Sequence, residues 1–325
     1  MVNERKSAGI GAIIWTVFVV IKALTTNLDS LQYVMILLLF AYLVLVPLTL
    51  SLVADRSNRF YRWAVTFQPF AAVAAGISFF LSPGVTATLW AVPWLLVTML
   101  IALYGFTRFL QQKRSLKGSE LLIQIGLMYI VVGGGWLVLH RTGMPVLHFS
   151  DIIVLLTSIH FHYAAFLTPI TMGIVGKKLL ALRPGLKRLW LVMTVAIILG
   201  PGFVAVGITF GNVYPLLEFI AVVEFVLPLL LYALLLLFVY VPHLPNRPAQ
   251  ALFTLSAISL LFSMGASFFY GYGHIGDYVI LDIPLMIFVH GFVNTFGFSL
   301  CAILGLQRSG ETAALTVKGE GQKKA

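Results

Sequence analysis

Between Ser150 and Gly173 the chain reads SDIIVLLTSIHFHYAAFLTPITMG. After Asp151 no Asp, Glu, Lys or Arg occurs until Lys177. At ~1.5 Å rise per residue, a helix over this run is long enough to cross a hydrocarbon core of ~30 Å. The rest of the chain repeats the pattern. Of its 325 residues 60% are apolar and only 10% charged, with a mean hydropathy of +1.00. A soluble domain keeps roughly a quarter of its residues charged to cover its surface. Lipid offers no partner to an unpaired backbone N–H or C=O, so the spans must be helices. These observations predict an all-α, polytopic transmembrane bundle.

Ten spans are expected, at 8–26, 31–53, 63–82, 86–107, 119–139, 150–175, 188–211, 214–241, 249–271 and 279–305. Lys and Arg set their direction, because cytoplasmic loops collect basic residues. With the N-terminus inside, 19 of the 21 basic residues fall in the terminal segments or in even-numbered loops. The exceptions are Lys22 and Arg141. Both termini are therefore placed in the cytoplasm and the protein in the plasma membrane. The first apolar run, from Ala8 to Leu24, is followed by Thr25, Thr26, Asn27 and Leu28 rather than by a small-residue cleavage site, and reads as an uncleaved span. Residues 1–306 form the transmembrane domain in this reading, and 307–325 a disordered cytoplasmic tail. The net charge of +10 is spread over loops, which argues for a lipid surface and against nucleic acid as partner. The single cysteine, Cys301, excludes an internal disulfide.

Ionisable residues inside a span are costly and generally face the bundle interior or a water-filled cavity. Here they gather on spans that start outside. His160 and His162 lie near the middle of the sixth span, Glu218 and Glu224 on the eighth, and Asp282, His290 and Asn294 on the tenth. His160, His162, Glu224 and His290 share one depth if these spans are neighbours. Successive helical residues turn by ~100°, so His160 and His162 diverge by ~200° and cannot ligate one ion from a regular helix. Either each serves a different partner, or unwinding near Pro169 bends the rule. By the same rotation Glu218 and Glu224 point ~120° apart, and only one of them is expected to join a site. His290, Asn294, Gly297 and Cys301 form one stripe on the tenth span. Gly200-Pro201-Gly202 marks an expected break in the seventh span, and Gly133-Gly134-Gly135 a close helix contact in the fifth. On the outer face lie His140, His148, His274 and Asp277; the three histidines read as unpaired surface groups, with the mouth of a pathway or an external metal site as the alternative.

Two resemblances meet on the sixth span. The segment Ser158-Ile159-His160-Phe161-His162-Tyr163-Ala164-Ala165-Phe166 resembles the signature stretch of the YndJ-like family of bacterial membrane proteins. That resemblance implies a polytopic layout, and a transporter label is sometimes attached to the family. His160-Phe161-His162-Tyr163 is also similar to the haem–copper oxidase helix whose two histidines ligate two different haems. No adjacent histidine pair for copper and no partner-histidine motif accompany it, so full membership is not expected.

Three functions fit these residues. The first is a transporter whose His160, His162, Glu224 and His290 exchange protons while a small molecule or ion passes. The second is a membrane metalloprotein or enzyme, in which the same four residues hold haem or a transition metal; imidazole suits copper, iron and zinc alike. The third is a non-catalytic scaffold or sensor.

Overall fold

The computed structural model describes residues 3–111, 118–146, 149–211, 213–271, 279–280 and 283–313. Among the described residues the helices form ten rods. They are α1 (Glu4–Thr25), α2 (Ser30–Leu52), α3 (Arg59–Ser78), α4 (Val85–Gln111), α5 (Gly118–Thr142), α6 (Asp151–Leu182), α7 (Lys187–Phe210), α8 (Leu216–His243), α9 (Arg247–Gly271) and α10 (Leu285–Ser309). Among the described residues, nine of them are long and apolar enough to cross a membrane. The exception is α3, which carries Arg59, Arg62, Gln68 and Pro69. Even so, α3 turns Trp63, Phe67 and Phe70 outward, and Gln68 points inward, donating to the Tyr42 carbonyl oxygen at 2.5 Å. Large apolar side chains cover the outside of the whole bundle, as lipid rather than water requires.

The core is built round α2. Every residue from Tyr33 to Leu50 is buried, and a helix that is apolar on all sides belongs at the centre of such a bundle. Around it α4 packs on α3 and α5, α5 on α6, α7 on α8, α8 on α9, and α9 on α10. Gly133 and Gly134 make the expected close contacts of α5. A Cβ on Gly133 would stand 2.7 Å from the His162 ring, while Gly134 lies against Thr98 of α4.

Among the described residues four π-helical segments interrupt the rods: Ala41–Leu45, Tyr163–Leu167, Leu236–Tyr240 and Val293–Leu300. The first three have one cause. Each is followed by one residue and then a proline, namely Pro47, Pro169 and Pro242. Proline has no N–H and its ring crowds the carbonyl four residues back. The wider turn relieves that crowding, and the residue before each proline bonds five residues back instead: Val46 to Ala41, Thr168 to Tyr163, Val241 to Leu236. The fourth π segment contains no proline and is followed by none.

Two expectations need correction. Gly200-Pro201-Gly202 does not break α7, which runs unbroken from Lys187 to Phe210; the bare Gly200 backbone seats the Phe225 ring of α8. Nor does the last helix begin at residue 279. Val279–Ile280 and Ile283–Pro284 pair as a short antiparallel hairpin, β1 and β2, and Pro284 then caps α10, with its fixed φ suiting the entry to the helix.

The exceptional bases Lys22 and Arg141 have a structural task. Lys22 Nζ donates to the Phe79 carbonyl oxygen at 2.7 Å, and Arg141 Nη2 to that of Ser78 at 2.8 Å and to that of Leu81. Both cations thus satisfy the open carbonyls at the C-terminal end of α3, where the helix dipole also favours positive charge. At the opposite end of the bundle, Glu4 pairs with Arg56 at 2.5 Å, and the Ala313 N–H donates to the Leu52 carbonyl oxygen at 2.8 Å. The two ends of the described chain therefore meet the same turn after α2, as an even number of spans demands.

Candidate functional site

The sixth rod carries His160 and His162 on regular helix, because its π turn begins only at Tyr163. They accordingly point to different partners. His162 is buried against α4: Trp94 Nε1–H donates to His162 Nε2 at 3.0 Å, and His162 Nδ1 lies 2.8 Å from the Ser158 carbonyl oxygen. A carbonyl oxygen only accepts, so Nδ1 holds the hydrogen and Nε2 receives one. Both nitrogens are occupied. The Tyr42 ring lies 4.9 Å from the imidazole and stacks on Trp94 at 4.1 Å. His162 is thus a neutral core group with no free lone pair.

His160 faces the other way, where protein leaves it exposed, and its ring centre lies 6.3 Å from that of His290 on α10. Its Nδ1 is 2.6 Å from the Leu156 carbonyl oxygen and therefore also carries the hydrogen. His290 is fixed by serines of α9. Ser267 spends its hydroxyl hydrogen on the Ser263 carbonyl oxygen at 3.0 Å, so at its 3.0 Å contact with His290 Nδ1 its oxygen can only accept. Ser263 Oγ lies 2.9 Å from the same nitrogen and accepts from Asn294 Nδ2 at 2.6 Å. Among the described residues neither His160 Nε2 nor His290 Nε2 has a hydrogen-bond partner. Each imidazole is therefore held through one nitrogen and keeps the lone pair of the other.

The predicted stripe of α10 does face a single neighbour. His290, Asn294 and Gly297 lie in turn against Ser267, Ser263 and Ser259, a ladder of serines at four-residue spacing on α9. Cys301 bonds instead to the Phe296 carbonyl oxygen of its own helix. The proline-free π segment starts three residues after His290 and includes Asn294. Such turns without a proline to explain them are frequent at functional sites. Trp94, Ser263 and Ser267 were not singled out from the sequence; the serine spacing was the available signal, but it does not say which helix it meets.

The His160 half of α6 packs on α5 and α2, and has no comparable packing on α7, α8 or α9. Beyond Pro201, α7 buries only Gly207, against Ala221, and of the other residues from Gly202 to Phe210 all but Val204 are exposed. In the half of the bundle that lies away from the ends of the described chain, α6 and the α7–α8 pair thus pack little on one another, and His160 is exposed. Glu224 sits at mid-span on α8, its Oε2 covered and without a hydrogen-bond partner among the described residues. Glu218 leans instead on Gly211 of α7. Neither carboxylate pairs with a histidine among the described residues. Asp282, His148, His274 and Asp277 lie outside the described residues. His140 is buried rather than at the surface. Among the described residues no three His, Cys, Asp or Glu side chains gather closely enough to hold a metal ion.

The YndJ-like protein family matches over residues 36–298, a stretch that contains both histidine sites, the serine ladder and Glu224. A Bacillus subtilis (strain 168) protein titled "Uncharacterized membrane protein YndJ" is 33% identical over 215 residues, or 66% of this chain. The match spans 37% of that relative's own length. No solved structure matches the chain. With the family's stretch running through eight-tenths of a ten-helix bundle, the chain belongs to the YndJ-like protein family.

Proposed function

We propose that this protein is a transporter of the plasma membrane in which His160 and His290 bind and release protons while a small solute or ion passes. The observation that carries the reading is the pair of imidazoles from two helices, each anchored through Nδ1 and open at Nε2. Imidazole is the side chain that changes charge near neutral pH, and an ionisable group at mid-span marks a pathway by default. The sparse packing between α6 and the α7–α8 pair leaves room for that pathway's entrance. With both termini cytoplasmic, as the basic residues favour, the entrance opens outward. Glu224 supplies a second proton-binding group on the opposite wall. Asn294 and the serine ladder hold the His290 ring in place and offer polar contacts to a passing solute.

The test uses proteoliposomes with a trapped pH dye, challenged with a panel of small ionic solutes under an imposed pH gradient. At least one solute is expected to drive proton movement through the wild type, and His160→Ala and His290→Ala to slow it by about tenfold or more. Equal rates in all three proteins, or no driven movement in any, would remove the support for this reading.

A further inference from the structure

Residues 310–313, which follow α10, lie against the end of the bundle that carries both ends of the described chain. Gly310, with φ 74°, stands in the left-handed conformation that ends the helix and turns the chain back. Glu311 then receives Lys178 Nζ of α6 at 2.7 Å on one carboxylate oxygen and the Tyr240 hydroxyl of α8 at 2.5 Å on the other. Two residues on, the Ala313 N–H bonds to the Leu52 carbonyl oxygen at the end of α2, and its own carbonyl accepts from Arg108 Nη2 of α4 at 2.9 Å. Four residues thus join the ends of α2, α4, α6 and α8 to α10. Of the segment expected to be a tail, 307–309 continue the helix and 310–313 cross these ends, while 314–325 lie outside the described residues.

We infer that Gly310–Ala313 is a latch that holds this end of the bundle shut, and that its release opens a way from that end to the interior beside Cys301. The inference is independent of the transport reading. Its contacts explain why the segment can let go: apart from the Ala313 methyl they are all polar, and the Lys178–Glu311 pair is partly open, so that water can replace it. Just above, Ile303 and Leu306 of α10 are fully buried and give the helix its apolar hold. The latch is thus a separate, weaker fastening on a helix that is otherwise packed. A local opening of this kind exposes what lies beneath without unfolding the rest.

Cys301, the chain's only cysteine, is buried on α10 about two turns above the latch and serves as reporter. The full chain, solubilised in mild detergent so that both faces are open, is labelled with a polar maleimide. Glu311→Ala removes both side-chain contacts. Gly310→Val disfavours the turn without a clash, because nothing lies within 4 Å of a Cβ at that position. Both variants are expected to speed labelling of Cys301 about fivefold or more. A control protein, Cys301→Ala with Ser78→Cys, places the thiol at a buried position at the opposite end, where the same latch changes should leave the rate as it was. An unchanged Cys301 rate in both variants overturns the latch. So does an equal rise at both thiols, which would report general loosening.

Discussion

His162→Ala is expected to destabilise the folded protein by about 2–4 kcal/mol, while His160→Ala changes stability by less than about 1 kcal/mol. The two residues are of the same type, two apart, on one helix, and their surroundings account for the difference. His162 is 1% exposed and accepts from the single N–H of the Trp94 indole, itself fully buried. Truncation leaves that N–H without a partner and a space where the ring lay between Gly133, Tyr42 and Trp94. An orphaned buried donor costs about 1–3 kcal/mol, and the cavity adds to it. His160 is exposed and its one hydrogen bond is to its own helix, so little is lost. Thermal unfolding of the detergent-solubilised variants checks both values. A similar loss in the two would show that the environments are not divided as described.

Arg108→Leu is expected to cost more, about 3–5 kcal/mol. Arg108 is 1% exposed and is the hub of the end that carries both ends of the described chain. Its Nη2 donates to Glu120 Oε2 at 3.1 Å and to the Ala313 carbonyl oxygen at 2.9 Å, and its Nη1 reaches the Tyr104 hydroxyl at 3.3 Å. Removing one partner of a buried ionic group leaves the other charge poorly compensated. Here Glu120 retains Lys177, which holds the effect toward the lower end of that range. Leucine is close in volume to the arginine stem, so the measured loss reports the polar contacts more than packing. Unfolding of the solubilised variant checks the size. An effect below about 1 kcal/mol would mean that Glu120 and Ala313 find other partners without cost.

Much of the architecture was legible in the sequence because lipid imposes simple rules. Long uncharged runs give the helices, and the alternation of basic loops requires an even number. The same rules cannot say why Lys22 and Arg141 break the pattern, since the α3 carbonyls they cap become neighbours only in the fold. Gly200-Pro201-Gly202 misled for a related reason: a helix packed on a neighbour tolerates proline, and α7 is seated on Phe225. The divergence of His160 and His162 follows from rotation per residue alone. Their partners do not, because Trp94 lies 68 residues from His162, and Ser263 lies 27 residues from His290. Periodicity records which residues share a face and is silent on which face they meet. The serine ladder of α9 was present as spacing in the sequence, and acquires meaning only opposite His290 and Asn294.

The division between a buried, saturated histidine and an open pair is the centre of this account. It is tested most directly by solid-state NMR of protein labelled with ¹⁵N-histidine in lipid bilayers, with His160→Gln, His162→Gln and His290→Gln samples to assign the rings. Lowering the pH from about 8 to about 5, the range in which imidazoles exchange protons, is expected to protonate Nε2 of His160 or His290. His162 should keep one signal of the Nδ1–H form throughout. Titration of His162 over that range, or unchanging spectra from both His160 and His290, would contradict the account.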